Sequence, residues 1–269
     1  MGFDDDIALR AGGEGRFEGR IADGWDTPRG PLGGYVTALV LHGMQLAVAA
    51  PERQPRSLSV HFLRPPVAGP VTVLATVERA GRSLSTVSAR MEQEERTIAL
   101  ALAAFSTPWP GPVLDEASMP EVRAPAERGR SEGPSPGDRV PPPFTGRLTM
   151  QQRFGEPAFS GADRAETGGW LGLTEHRPLD ALALAMLADA WYPAPWPRLT
   201  ALAPAPTVEM TVHFRAPLPL PDGLVLGRFH TRLVRDGFFE EDGALWAQDG
   251  TLAAQSRQLG LLLGAQVPG

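Results

Sequence analysis

The sequence predicts an α+β fold built from two copies of one unit, each a buried helix followed by antiparallel strands. The segment Ser59-Val-His-Phe-Leu-Arg-Pro-Pro recurs as Thr211-Val-His-Phe-Arg-Ala-Pro-Leu, and Thr97-Ile-Ala-Leu-Ala-Leu-Ala-Ala-Phe recurs as Thr251-Leu-Ala-Ala-Gln-Ser-Arg-Gln-Leu. The two matches keep the same order and nearly the same spacing, which indicates a duplicated unit. Each half also has one helix pattern upstream of several strand patterns.

The two helices are predicted from apolar residues that repeat at the i, i+3, i+4, i+7 spacing. The first pattern covers residues 36–47 and stops before Pro51, and the second covers residues 179–190 and stops before Pro193. Both segments are apolar on nearly every side, which predicts burial rather than a surface position.

The strands are predicted from runs rich in Val, Leu, Ile, Thr and Phe, separated by short turns. They cover residues 56–64, 71–79, 83–91 and 97–105 in the first half, and 207–214, 224–234, 244–248 and 251–263 in the second. Because the connections between consecutive strands are short, antiparallel pairing is favoured.

A proline-rich segment separates the two halves. Ten prolines lie between Pro108 and Pro143, among glycine, serine and scattered charges. Proline at this density excludes a helix or an inner strand, so we predict a surface linker. The expected organisation is an N-terminal unit over residues 1–107, a linker over 108–146, and a C-terminal unit over 147–269 that carries the candidate site residues Asp189, Thr207 and Gln258 discussed below.

Composition excludes several classes of function. The 269 residues include 25 Lys and Arg against 31 Asp and Glu, a net charge of −6 that argues against nucleic-acid binding. The absence of cysteine excludes disulfides, thiolate metal sites and a cysteine nucleophile. No apolar stretch approaches the ~20 residues of a membrane span, and the first residues lack a secretory pattern, so we expect a cytoplasmic protein. Exposed sheet edges or faces favour a homo-oligomer.

The common catalytic signatures are absent from this sequence. It has no G-x-S-x-G elbow, no H-E-x-x-H, no phosphate-binding loop and no dinucleotide fingerprint. The five histidines form no cluster with carboxylates, so no metal site is predicted. His61 and His213 occupy the same place in the repeated strand and are interpreted as structural residues.

A glycine turn precedes the first helix in the segment Thr27-Pro-Arg-Gly-Pro-Leu-Gly-Gly-Tyr. The backbone N–H groups near Gly33, Gly34 and Tyr35 are unpaired at a helix start, where the partial positive charge suits a carbonyl oxygen that becomes negative. The alternative is that the glycines only permit a tight turn or close packing.

The second helix pattern carries Asp189 late in its run, beside the buried apolar stripe. A carboxylate at that position needs hydrogen-bond partners, because burying it without them costs several kcal/mol. Asp180, near the helix start, is more simply a first-turn or capping residue.

Gln258 and Thr207 are the candidate partners of Asp189. Strand alternation places Gln258 on one face with Leu252, Ala254 and Ser256, where the first half has the row Ile98, Leu100, Leu102 and Ala104. Gln258 then stands where the other copy has alanine, which suggests a polar group in an inward-facing row. Thr207 stands at the start of its strand, and alternation puts its side chain on the face opposite to those of Val208 and Met210. It would need a local twist or bulge to join the same site.

Three stretches resemble the double hot-dog acyl-CoA thioesterases of the thioesterase II-like group: Gly30-Pro-Leu-Gly-Gly-Tyr-Val, Val60-His-Phe-Leu-Arg-Pro with Gly81-Arg-Ser, and Gly169-Trp-Leu before Leu187-Ala-Asp. The resemblance implies two antiparallel sheets, each wrapped around a central helix. It also implies a catalytic set of Asp189, Thr207 and Gln258. One departure is Ser59, where several family members have histidine before the Phe-Leu-Arg-Pro segment.

The resemblance implies hydrolysis of an acyl-CoA thioester by an activated water, with Asp189 as base and no metal or redox cofactor. The amides near Gly33, Gly34 and Tyr35 would stabilise the oxyanion from the other half. Two alternatives stay open. One is a non-catalytic protein that binds acyl-CoA or a lipid-like ligand; the other is an enoyl-CoA hydratase or dehydratase that uses His61 or His213.

Overall fold

The structure is a computed structural model that describes residues 2–133 and 140–264. Residues 134–139 of the predicted linker, Met1, and residues 265–269 at the end of the C-terminal unit lie outside the described residues.

The described residues form three α-helices and fifteen strands. The helices are α1 (Phe3–Asp6), α2 (Gly33–Val48) and α3 (Ala181–Leu187). The first half contains the strands β1 (Arg10–Gly13), β2 (Arg16–Ile21), β3 (Asp26–Thr27), β4 (Gly30–Pro31), β5 (Gln54–Phe62), β6 (Gly69–Ala80), β7 (Leu84–Gln93) and β8 (Arg96–Ser106). The second half contains β9 (Leu148–Phe154), β10 (Glu166–Leu173), β11 (Thr207–Phe214), β12 (Val225–His230), β13 (Val234–Arg235), β14 (Phe238–Trp246) and β15 (Leu252–Leu261).

One continuous antiparallel sheet of 13 strands joins the two halves, in the order β1-β2-β6-β7-β8-β5-β11-β15-β14-β12-β10-β9 with β13 beside β14. The prediction of two separate sheets is therefore corrected. The two recurring segments, β5 and β11, pair with each other, and Ser59 stands opposite Thr211. Their hydroxyl oxygens are 2.6 Å apart. The strand that the sequence repeats is thus the seam of the molecule.

The two longer helices pack against each other and fill the core. α2 agrees with the first predicted helix and packs on β6 and β7 of its own half. α3 is shorter than the predicted segment 179–190. Asp180 caps its start by accepting a hydrogen bond of 2.9 Å from the amide of Ala183, as the sequence indicated. Its last turn tightens, so that the amide of Asp189 bonds the carbonyl of Met186, only three residues back. Asp189 therefore lies just beyond the helix rather than in it.

Several strands extend beyond the predicted limits or were missed. β14 starts at Phe238, well before the predicted segment 244–248, because the charged run Glu240-Glu241-Asp242 hides its period. The predicted strand 224–234 is two strands, β12 and β13, and β9 and β10 had no prediction. β10 contains Gly168 and Gly169, which lower strand propensity although both residues are buried.

The described part of the linker lies on the outer face of β9, β10 and β12. Met119 and Val122 pack against the buried cluster that contains Trp170 and Leu226. Gln151, fully buried on β9, exchanges hydrogen bonds with the backbone of Ala126. The linker thus covers an apolar patch of the sheet. Among the described residues, no helix has the length and apolar character that crossing a membrane requires.

Candidate active site

The predicted site residues meet where the start of α2 faces the end of α3. The amide of Gly34, in the first turn of α2, donates a hydrogen bond of 2.6 Å to Oδ2 of Asp189. The N–H groups of a first helical turn have no partner within the helix, and here one of them finds an acceptor in the other half of the chain. The two halves therefore complete each other's unpaired groups at this point.

Glycine allows the two helices to approach this closely. A Cβ on Gly34 would clash with the carbonyl oxygen of Met186, and a Cβ on Gly33 would lie 2.8 Å from Oδ2 of Asp189. Neither position can carry a side chain unless the helices move apart. The close-packing alternative is therefore confirmed, and the role of these amides toward a substrate oxygen stays a prediction.

Gln258 and Thr207 lie beside Asp189. The hydroxyl of Thr207 donates a hydrogen bond of 2.9 Å to Oε1 of Gln258. The side-chain amide of Gln258 donates a hydrogen bond of 3.4 Å to the carbonyl of Ala188, and it lies close enough to Asp189 to favour the charged form of that carboxyl. Gln258 is 5% exposed, so its amide has neighbours from the protein rather than from bulk water. The three side chains form one connected chain of polar groups.

A β-bulge turns Thr207 toward this chain. Thr207 stands opposite Gly260, and Glu209 stands opposite Leu259, so that Val208 is one extra residue on β11. An extra residue rotates the strand locally and reverses the direction that strict alternation assigns to Thr207. This is the local change that the sequence required but could not locate.

The inward row predicted for the first half was one residue out of register. Leu100 and Leu102 on β8 are exposed, whereas Ala101 and Ala103 are buried. Pairing with the seam strands makes Ala103 the counterpart of Gln258, because Leu58 faces Ala103 and Met210 faces Gln258. The conclusion that an alanine of one copy is replaced by a glutamine of the other holds, on the opposite face of β8.

Burial makes Asp189 a stronger base than an ordinary aspartate. The loss of solvation raises its pKa from 3.8 to about 6, although hydrogen bonds from Gly34 and Gln258 favour the charged form. A carboxyl with a pKa of about 6 is mostly ionised at pH 7, and it accepts a proton more readily than an aspartate with the ordinary pKa.

The side chain of Tyr35 points away from this site. Its hydroxyl donates a hydrogen bond of 2.7 Å to the carbonyl of Asp6 and accepts one from the amide of Ala22. Its ring stacks on Trp25, and burial raises its pKa to about 12. Only the backbone amide of Tyr35, in the first turn of α2, remains available for the predicted binding role.

Two residues near the site were not singled out from the sequence. The ring of Phe62 lies 3.3 Å from the position of a Cβ on Gly33, at the end of β5. Glu241 is buried on β14, and the charge of Asp189 contributes to its raised pKa. Phe62 belongs to the recurring segment Val-His-Phe, and that recurrence could have identified it from the sequence. Glu241 alternates with Phe239 and Gly243, and that period would have placed it inward.

His61 and His213 are exposed and alternate with the buried residues Val60 and Val212. They therefore face away from the core that holds Asp189. Within residues 2–133 and 140–264, no group of three or more His, Asp or Glu side chains could hold a metal ion.

Comparison with known families and structures agrees with this architecture. Residues 21–106 match the acyl-CoA thioesterase N-terminal domain, and residues 120–262 match the acyl-CoA thioesterase C-terminal domain. The chain belongs to the acyl-CoA thioesterase family, and its fold is the hot-dog fold of the thioesterase II-like proteins.

Three solved structures illustrate the relationship. A conserved protein of unknown function with a hot-dog fold from Alicyclobacillus acidocaldarius is 30% identical, with a TM-score of 0.85 over 99% of this chain and 98% of that one. A candidate thioesterase II from Thermobifida fusca YX is 29% identical, with a TM-score of 0.75 over 97% of both chains. The acyl-CoA thioesterase II TesB2 from Mycobacterium marinum, 19% identical with a TM-score of 0.75 over 100% and 98%, supports the fold alone.

Proposed function

We propose that the protein hydrolyses acyl-CoA thioesters by direct attack of water. The observation that carries the proposal is the buried carboxylate of Asp189, held by the Gly34 amide of the other half and linked through Gln258 to Thr207. Membership of the acyl-CoA thioesterase family supports the substrate class. Neither a cysteine nor a serine elbow is present in the sequence, which fits attack by water better than an acyl-enzyme.

Asp189 is the general base in this mechanism. It takes one proton from a water whose oxygen attacks the thioester carbonyl carbon, and Gln258 and Thr207 orient that water. The tetrahedral intermediate then expels the CoA sulfur, which receives the proton held by Asp189. Water and thioester are thereby converted into a carboxylic acid and a thiol, with no covalent enzyme intermediate.

The start of α2 stabilises the negative charge that develops on the thioester oxygen. The Gly34 amide already donates to Asp189. The thioester oxygen is therefore bound by the amides of Gly33 and Tyr35 in the same turn, or by the Gly34 amide once Asp189 has become protonated and released it. Amides fixed before the reaction cost no reorganisation when the charge forms. The arrangement explains why both halves are needed for one site.

The hydratase alternative has less support. It requires His61 or His213 beside the substrate, and both side chains are exposed on the face opposite to the buried rows of their strands. The binding-only alternative uses the same residues, so it is separated from hydrolysis by activity rather than by structure.

The decisive measurement is thiol release from a panel of short-, medium- and long-chain and aromatic acyl-CoAs. We expect Asp189→Asn to lower kcat by about 10³-fold, because the amide keeps the hydrogen bond to Gly34 but cannot accept the proton of water. Asp180→Asn, which retains the capping oxygen of α3, is the matched control and should keep activity. Equal turnover by wild type and Asp189→Asn would refute the base assignment, and tight binding without any turnover would support the binding-only alternative.

A further inference from the structure

A second buried carboxyl lies beside the candidate site and has no part in the mechanism above. Glu241 is 7% exposed, on the inner face of β14 with Phe239 and Gly243. Its direct neighbour across the β14–β15 ladder is Gln258. Side chains opposite each other in such a pair are ~5 Å apart at Cβ, so Glu241 flanks Gln258 on the side away from Thr207.

Glu241 holds the chain that follows Asp189. Its Oε2 accepts a hydrogen bond of 2.6 Å from the amide of Ala194, which is itself fully buried. Ala194 lies between Pro193 and Pro195, whose rings restrict the backbone on both sides. This bond ties the segment that follows Asp189 to β14, in addition to the bond that the indole of Trp191 donates to Thr167.

The charged side chains that act directly on Glu241 are negative, and the cationic groups of Arg257, Arg232 and His230 lie against Asp242. Asp189 acts on it from the end of α3, and Glu240 and Asp242 act on it from its own strand. The last two have partners elsewhere: Glu240 accepts from the amides of Arg232 and Leu233, and Asp242 binds Arg257. β15 presents the neutral amide of Gln258. The turn after α3 presents the Ala194 amide, and burial is the largest influence, raising the pKa of Glu241 from 4.5 to about 8.

We propose that Glu241 is a positioning residue for Asp189: its neutral carboxyl fixes the turn after α3 through the Ala194 amide, and its ionisation at alkaline pH sets the upper pH limit of catalysis. Two buried carboxylates cannot both ionise without repulsion. A charged Glu241 would also oppose the negative charge that develops on the thioester oxygen. The pH dependence of this inference rests on the proposed hydrolysis, whereas the positioning contact does not.

The first test is the pH profile of kcat between pH 5 and 10 for wild type and Glu241→Gln. Glutamine keeps an acceptor for the Ala194 amide but cannot ionise. We expect wild-type kcat to fall about tenfold between its plateau and pH 9.5, and the variant to fall less than about twofold. Glu240→Gln, the adjacent residue with its side chain on the other face, is the matched control and should keep the wild-type profile. A Glu241→Gln profile that falls in parallel with wild type would overturn the inference.

The second test separates positioning from a general effect on folding. Glu241→Leu fills a similar volume but leaves the Ala194 amide unpaired. We expect kcat to fall about tenfold at every pH with KM changed less than threefold, in a protein with an unchanged near-UV circular dichroism spectrum. Wild-type kcat in such a folded variant would contradict the positioning role.

The third test needs no catalytic activity, so it separates failure of this inference from failure of the proposed function. The pKa of Glu241 is higher in the folded protein than in the unfolded chain, so stability from this group is lost as pH rises from about 4.5 to 8. The difference in melting temperature between Glu241→Gln and wild type should therefore increase over that range. The same difference for Glu240→Gln should not increase. A constant difference would count against the inference even if the protein hydrolysed no acyl-CoA.

Discussion

At the scale of single residues, the candidate site combines a buried acid with donors from two parts of the chain. Asp189 retains a charge-stabilising hydrogen bond from Gly34, yet desolvation dominates and raises its pKa to about 6. Its charged form is therefore less stable than that of an exposed aspartate, and its pKa near neutrality is what the base role proposed above requires.

The pH dependence of activity and stability follows from the pKa of Asp189. Activity requires the ionised form, so kcat/KM should rise as pH increases through about 6. Stability behaves in the opposite way. The folded-state pKa exceeds the unfolded value of 3.8, so the stabilising contribution is complete below pH 4 and is lost as pH approaches 6.

Asp189→Asn should therefore gain about 2 kcal/mol of unfolding free energy relative to wild type between pH 4 and pH 7, since about two pKa units separate the folded and unfolded states and part of the difference has already developed at pH 4. Urea unfolding of both proteins at the two pH values measures this difference. A relative stability independent of pH would show that Asp189 is not desolvated as the structure describes.

At the scale of elements, the close contact of α2 with α3 determines whether the site forms. The backbone of Gly34 lies directly against the carbonyl of Met186, and the first turn of α2 presents its amides to the other half. The bulge at Val208 and the tightened end of α3 then bring Thr207 and Asp189 to the same place. The close contact at Gly34, the bulge at Val208 and the tightened end of α3 together position the residues of the candidate site.

Gly34→Ala should separate the two helices, because the added methyl group would clash with Met186. We expect a loss of about 1–3 kcal/mol in unfolding free energy, as for other overpacked sites. The loss of kcat should exceed what this destabilisation explains, since the bond from residue 34 to Asp189 lengthens. Gly43→Ala is the control for overpacking alone. Gly43 lies on the same helix as Gly34, and a methyl group there would meet the side chain of Val73 on β6. Equal kcat in the two variants would contradict a specific role for Gly34.

At the scale of the whole molecule, the single sheet makes the two halves dependent on each other. The seam between β5 and β11 joins them through a ladder, and the Gly34–Asp189 bond joins them through the core. A duplicated fold in which one copy contributes the helix start and the other the carboxylate needs both copies for one site.

Residues 1–107 and 108–269 expressed separately should each have below about 1% of the intact activity, because each lacks part of the site. The division before residue 108 leaves the linker with β9 and β10, against which its Met119 and Val122 pack. Co-refolding of the two pieces should restore thioester hydrolysis as the β5–β11 ladder forms. Activity in either piece alone would show that the site does not require both halves.

Local pattern was sufficient for much of this protein. Helical period located α2 and α3, although it extended α3 past both of its ends, and alternation placed Gln258 inward, because these signals depend only on neighbouring residues. The same logic was wrong for Leu100 and Leu102. The alignment of the two halves was off by one residue, and a shift of one residue exchanges the two faces of a strand, so these predicted inward side chains are exposed.

The recurring segments, the glycine turn and the identity of the polar residues in the second half can all be read from the amino-acid order. Only the tertiary structure decided that the two halves share one sheet, that a bulge turns Thr207 inward, and that Gly34 and Glu241 act on Asp189 and the chain after it. The physical reason is distance along the chain. Period and propensity act over a few residues, whereas the pairing of β5 with β11 and the burial of a carboxyl depend on which distant segments become neighbours.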